Sequence, residues 1–282
     1  GVKVMMKAPV GGAKHQLLPS CSAIALLAAF ALPVQAEAAG TRAGSTISNT
    51  ASASFDTGAG TTTTIDSNRV DLLVDELPDV TVDSSNPADV PTTPGATGQV
   101  LTFSVTNSGN GLEAFGLTTV ANAGGDNYDP VVTQIYIDNG DGIFDSGTDA
   151  LYAPGANDPS LNPDQSITVF VLATTPGTVV DGNRGIVSLV AAAKTGTGVP
   201  GTGFAGKGEG GGDAVVGSTG ADGQDAGAFV VSAATVTLVK SAVITNSLNT
   251  ADPVPGATIT YTIIATVAGS GSVSGLAIID DI

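Results

Sequence analysis

The sequence predicts an all-β protein, a β-sandwich entered through an export leader. Three observations carry that expectation. After Ala39, Thr, Val, Ile and Ser recur in short runs broken by Gly, Pro, Asn and Asp, which is the pattern of strands joined by tight turns. Helix signals nearly vanish over the same stretch. One unit also occurs twice: Pro94-Gly95-Ala96-Thr97 leads to Leu101-Thr102-Phe103-Ser104-Val105, and Pro255-Gly256-Ala257-Thr258 leads to Ile259-Thr260-Tyr261-Thr262-Ile263.

Residues 1–36 read as a signal peptide. Lys3, Lys7 and Lys14 give a positive start, residues 22–32 are an apolar run, and Val34-Gln35-Ala36 offers small residues for cleavage. The run is too short for a permanent membrane helix, which needs about 20 residues. Its removal leaves 246 residues and decides the available chemistry. The single His15 and single Cys21 go with the leader, and there is no Trp. Disulfides, His or Cys zinc sites, Ser-His-Asp triads and Cys-His dyads are all excluded. Six Lys and Arg then face all 26 acids, a net charge of −20. Phosphate backbones are bound by matching positive charge, so nucleic acid and anionic lipid are poor partners. Divalent cations are attracted instead, and mutual repulsion keeps the chain soluble.

Residues 37–76 predict a β-hairpin. Residues 45–55 alternate in part through Ile47, Asn49, Ala51, Ala53 and Phe55, residues 61–74 end in a second apolar stretch, and Gly58 to Gly60 separate them. A boundary is expected near Leu77, followed by Val80, Val82 and the Pro-rich residues 87–94. Residues 77–193 form the first repeat. Its Gly109-Asn110-Gly111 turn answers Gly269-Ser270-Gly271 in the second copy, which occupies 228–282 and lacks its remaining strands. Such a unit is half of a sandwich sheet, and its inward residues need a facing sheet. Phe103, Phe115, Phe170 and Tyr261 are the expected aromatic core.

The segments "PGATGQVLTFSVTNSGNG" and "VTLVKSAVITNSLNTADPVPGATITYTIIATVAGSGSVSGLAIIDD" resemble the bacterial conserved repeat domain, domain of unknown function eleven. The resemblance spans residues 80–125 and 235–282. Its hallmark is Pro-Gly, a Tyr-Thr-Ile-like strand, an Asn-Xaa-Gly turn and a closing Asp. Asn107-Ser108-Gly109 fits that turn; in the second copy Val267-Ala268-Gly269 replaces the Asn, while Asp280 fits the closing acid. The resemblance implies tandem immunoglobulin-like β-sandwiches on a bacterial cell surface. It implies no activity.

Residues 194–227 predict a glycine-rich loop or insertion; 13 glycines fall within 33 residues from Thr195. Within it, residues 201–208 fit G-x-G-x-x-G and most of a phosphate-binding loop. Gly208, however, stands where Ser or Thr must hold magnesium, and no helix can start at 209–212.

The remaining candidate is the run of residues 137–149, which places four Asp among three Gly. It fails the EF-hand count, since Gly occupies position 3 from Asp138 and Gly again falls one place early. Two readings stay open. One is a solvated hairpin turn on Asn139-Gly140, with residues 131–137 as one strand and Ile143-Phe144 returning. The other is a calcium site using Asp138, Asp141 and Asp145, with Asn139 and Asp149 as secondary ligands. Calcium is the one cofactor the sequence admits. Lys240, inside an apolar strand, is read as pointing to solvent rather than joined in an isopeptide bond.

The expectation is therefore a non-catalytic, extracellular or cell-surface structural repeat protein. The alternative is an adhesin that binds a glycan or another surface protein through loops at one end, for which Phe204 is the obvious exposed aromatic. An enzyme would be limited to paired carboxylates.

Overall fold

A computed structural model describes residues 40–57, 62–122 and 124–281. The leader expected at 1–36 and the turn expected at 58–60 lie outside them. The described chain is all-β, with one 3-10 turn at Glu209–Gly211. No helix among the described residues is long and apolar enough to cross a membrane.

Among the described residues a two-stranded ribbon comes first. β1 (Thr46–Asn49) and β2 (Ser52–Asp56) run out, and β3 (Thr62–Asp66) and β4 (Val70–Leu73) return. Ile47 pairs with Leu72 and Ala53 with Ile65. Among the described residues no second layer covers this ribbon, and Ile47, Phe55, Ile65 and Leu72 remain about half exposed.

A sandwich follows. Its strands are β5 (Val80–Ser84), β6 (Val90–Thr92), β7 (Gln99–Asn107), β8 (Glu113–Val120) and β9 (Val131–Ile137). Two short strands, β10 (Ala150–Leu151) and β11 (Ser160–Leu161), precede β12 (Ser166–Thr174) and β13 (Arg184–Ala193). β14 (Gly203–Phe204) and β15 (Ala214–Val215) form a small separate pair before β16 (Asp222–Val231). One sheet has the order β10-β9-β12-β7-β5 and the other β11-β8-β13-β16-β6. β5 is antiparallel to β7, whereas β6 joins β16 in parallel. The chain therefore changes sheets between Ser84 and Val90. Pro91 is tolerated in β6 because that strand is an edge. Taking β5, β7, β12 and β9 as A, B, E and D, and β8, β13 and β16 as C, F and G, the order is that of an immunoglobulin-like sandwich.

The two-residue period builds the core directly. Leu101, Phe103 and Val105 on β7 are fully buried, facing Phe115 and Leu117 of β8, Val187 and Leu189 of β13 and Phe229 of β16. Each fully buried Phe or Leu contributes about 1.5–3 kcal/mol. On the outer face of the first sheet Phe170, Leu172 and Tyr136 form a smaller cluster, capped by Phe144.

Two expectations need correction. Residues 194–227 are not one loop: they hold β14, β15 and the first six residues of β16, the strand that closes the second sheet against β13. Glycine in that strand reflects close packing, since a Cβ on Gly227 would lie 3.1 Å from Leu101 and one on Gly223 would lie 2.7 Å from the Val80 carbonyl oxygen. Tyr261 is not core either. It lies on the open face of the last hairpin, 40% exposed, with the Lys240 ammonium 4.6 Å from its ring centroid. Lys240 is exposed, as expected, and its ammonium also pairs with Asp280, beyond the hairpin, at 2.5 Å.

That hairpin joins β17 (Ala234–Thr245) to β18 (Thr258–Gly269) over twelve registered pairs. Its entry repeats the geometry of the first sandwich. A Cβ on Gly109 would stand 2.3 Å from the Leu77 carbonyl oxygen, and one on Gly269 would stand 2.2 Å from that of Ala233. Each Gly-Xaa-Gly turn thus presses on the linker that leads into its own first strand, where only glycine fits. The sequence echo is a structural one at these two joints.

Asp181, from the loop before β13, fastens the second joint. Its carboxylate accepts the Ala233 and Ser270 N–H groups and the Ser270 hydroxyl. The Ser270 hydroxyl, then the Ala233 amide, hold this carboxyl below the usual aspartate range. A depressed carboxyl stabilises the joint above its unfolded value of about 3.9, and that contribution disappears as pH falls through the lower folded value. Asp181→Ala should release the Ala233, Ser270 and Gly271 amides to hydrogen exchange while leaving β7 and β13 protected. Unchanged protection at Ser270 would refute the assignment.

Candidate metal centre

β9 matches the expected strand, but Ile143-Phe144 do not return. The returning strand is β10, with Ala150 opposite Ile137 and Leu151 opposite Tyr136. The reason is local. Gly140 and Gly142 both have positive φ, and three side chains each fold onto the N–H two residues ahead. Asn139 accepts from Asp141, Asp141 from Ile143 and Asp145 from Gly147, at 2.8–3.1 Å. Such turns compete with strand pairing and open the hairpin into a loop over 138–149. Phe144 is drawn down onto the sheet, edge-on to Tyr136 and Phe170 at 5.2 and 5.6 Å between ring centroids.

Because Ile137 faces Ala150, the next residues outward, Asp138 and Asp149, close the neck of this loop. Asp138, Asp141 and Asp149 each bring one carboxylate oxygen within 4.8 Å of the other two. Asp145, placed first among the expected ligands, is not in that group. Its oxygen is taken by Gly147, and its N–H donates to Asp149 at 2.8 Å. Asp149, a secondary expectation, is the buried member at 7% exposure. The missed signal was the short Ala150-Leu151 strand, whose register alone places Asp149 opposite Asp138.

The donor set suits a hard cation. Two oxygens on one calcium at 2.3–2.6 Å can be at most about 5 Å apart, and three acidic oxygens within 4.8 Å meet that limit. The same carboxylates also accept N–H bonds from the loop: Asp138 from Gly142, and Asp149 from Asn139 and Asp145. A carboxylate has lone pairs for both partners. The amides pre-set the oxygens, and a cation would relieve the repulsion among them.

The other candidates resolve differently. Phe204 packs on the core cluster, and a Cβ on Gly196 would stand 2.4 Å from its ring. It is not presented as a binding platform. The phosphate-loop match at 201–208 contains β14 and a turn whose Gly206 N–H donates to the Asp213 carboxylate at 2.8 Å. A carboxylate already fills the place an anion would need.

Comparison with known proteins adds little. No protein-family model and no curated protein matches the chain. Among solved structures, the ASH/PapD-like domain of human CEP192 (PapD-like domain 7) is similar at 10% identity and a TM-score of 0.24. That match covers 55% of this chain and 84% of that domain. At that score the likeness carries no weight beside the strand order.

Proposed function

We propose that the chain is a non-catalytic structural module of an exported bacterial protein. In this reading it is a cell-surface segment of tandem immunoglobulin-like repeats of the bacterial conserved repeat kind, with calcium stiffening the aspartate loop. The supporting observation is the repeated joint. Gly109 against Leu77 and Gly269 against Ala233 lock each turn onto its incoming linker, and Asp79, Asn110 and Asp181 add hydrogen bonds across those linkers. A stalk needs fixed angles between units, and such joints supply them. The acidic exterior keeps neighbouring molecules apart.

The test is export with calcium titration. Cells producing the full chain should expose it to external protease, with Glu37 as the new N-terminus. Calorimetry on the purified chain should show calcium binding, and the melting temperature should rise as the ion selects the folded state. Asp149→Ala should abolish both effects. Retention of residues 1–36 on a protease-resistant internal chain would overturn the surface reading. No heat and no melting shift at millimolar calcium would overturn the metal. Specific capture on a glycan array would favour the adhesin.

A further inference from the structure

The end of the sandwich nearest the ribbon holds a second acidic feature. Glu76 and Glu113 are each only 3% exposed. Each leaves one buried carboxylate oxygen, Glu76 Oε1 and Glu113 Oε2, without a hydrogen-bond partner. Among the described residues neither forms an ion pair. A buried carboxylate oxygen with nothing donating to it is costly, so two in one place require an explanation.

Every neighbouring element contributes a charge that fails to neutralise them. From the 3-10 turn, Glu209 faces the pair and is itself matched by Arg42 at 3.0 Å. Lys194, after β13, turns its ammonium to Asp158 at 3.3 Å and offers Glu113 only its backbone. Asp75 and Asp213 add further negative charge beside Glu76, bound to each other's segment through the Asp213 N–H. Gly111 seals the site, since a Cβ there would lie 2.8 Å from the Glu76 carboxyl carbon.

The two carboxyls differ in support. Glu113 Oε1 accepts three N–H groups, from Ala114, Lys194 and Thr195. Glu76 accepts one, from Glu209 at 2.7 Å. From this asymmetry we infer that Glu76 binds a proton in the folded chain, and that this proton latches the ribbon and the 206–215 segment to the sandwich. Burial first, then the charges of Glu113 and Glu209, push the Glu76 carboxyl up, against the Glu209 N–H. The backbone explains the reach of the latch. The Glu76 N–H donates to Asp213, its carbonyl accepts from Val215, and the adjoining Leu77 N–H is held by Asn110, which also binds Thr41 and Asp75. Losing the proton places a second buried negative charge at the point where these segments meet.

The sign follows from linkage. A carboxyl raised above its unfolded value contributes stability below about pH 4.3, and that contribution is lost as pH rises through the folded value. The window is readable because His15 is the only histidine. In a His15→Ala background no imidazole titrates. There the melting temperature should fall as pH rises through the raised Glu76 midpoint. Glu76→Gln, which mimics the protonated acid, should flatten that slope and raise the melting temperature at pH 8 by roughly 2–4 °C. In the unmutated chain, carbon-13 NMR should place the Glu76 carboxyl midpoint above the ordinary glutamate value, and Glu113→Gln should lower it. An ordinary Glu76 midpoint, or a Glu76→Gln slope equal to that of the parent, would overturn the latch. A midpoint that moves with added calcium would assign the site to a cation and overturn it equally.

Discussion

Phe103→Ala is expected to destabilise the sandwich by about 3–5 kcal/mol, the range for truncating a buried aromatic. Phe103 is fully buried at the middle of β7. Its backbone neighbours are Ser84 of β5 and Val169 of β12. Across the core, β16 comes close enough that a Cβ on Gly227 would lie 3.3 Å from the Phe103 ring. The missing side chain at Gly227 is therefore the space into which the ring fits, and removing the ring leaves a void between two sheets that cannot easily collapse. Domain stability is typically 5–15 kcal/mol, so the loss would be a large share. Urea unfolding should show a lower midpoint at constant slope. Tyr261→Ala provides the contrast: the ring is 40% exposed on the last hairpin, and its removal should leave the sandwich transition in place. Equal effects of the two substitutions would mean that the sandwich and the hairpin unfold as one body.

The same comparison separates what was legible in the sequence from what was not. β7 could be read because alternation reports which face is buried, and β9 because turn glycines mark where strands stop. Tyr261 was misjudged because periodicity identifies a face without saying whether anything covers it. Residues 194–227 were misread for the opposite reason. Gly223 and Gly227 look like linker composition, yet they permit β16 to approach Val80 and Leu101. In the aspartate run, composition left a cation and a solvated turn both open, and register decided which carboxylates converge; no spacing rule ranks Asp149 above Asp145 without knowledge that β10 begins at Ala150. Glu76 and Glu113 left no local trace at all. They lie 37 positions apart and meet only because Gly111 lets the turn close on the linker. Their environment arises from tertiary packing, and so does the opposed response of the two joints. The Asp181 joint weakens toward acid and the Glu76 joint weakens toward alkali.

Asn107→Ala should cost about 2–4 kcal/mol, nearly as much as a core aromatic, although it removes only a short polar side chain. Asn107 is fully buried at the end of β7. Its amide donates to the carbonyls of Gly111 and Leu161, both at 2.8 Å, and its oxygen accepts the Gly109 N–H at 2.9 Å. Three backbone groups from the turn and from β11 would be stranded away from water, each costing about 1–3 kcal/mol but not additively. Asn107→Asp tests the mechanism. It keeps the acceptor for Gly109 and loses both donors, so it should be at least as harmful as alanine despite its near-identical shape; a milder effect would show that the turn, not the two carbonyls, carries the energy. The second copy lacks this residue and holds the corresponding turn by other means, with the Gly271 N–H on the Ala233 carbonyl and Ser270 on Asp181. Its turn is fastened from outside, by the preceding sandwich, where the first is fastened from within. The Asn107 substitutions should therefore unfold the first unit without loosening the Ser270 anchor until the sandwich itself is lost.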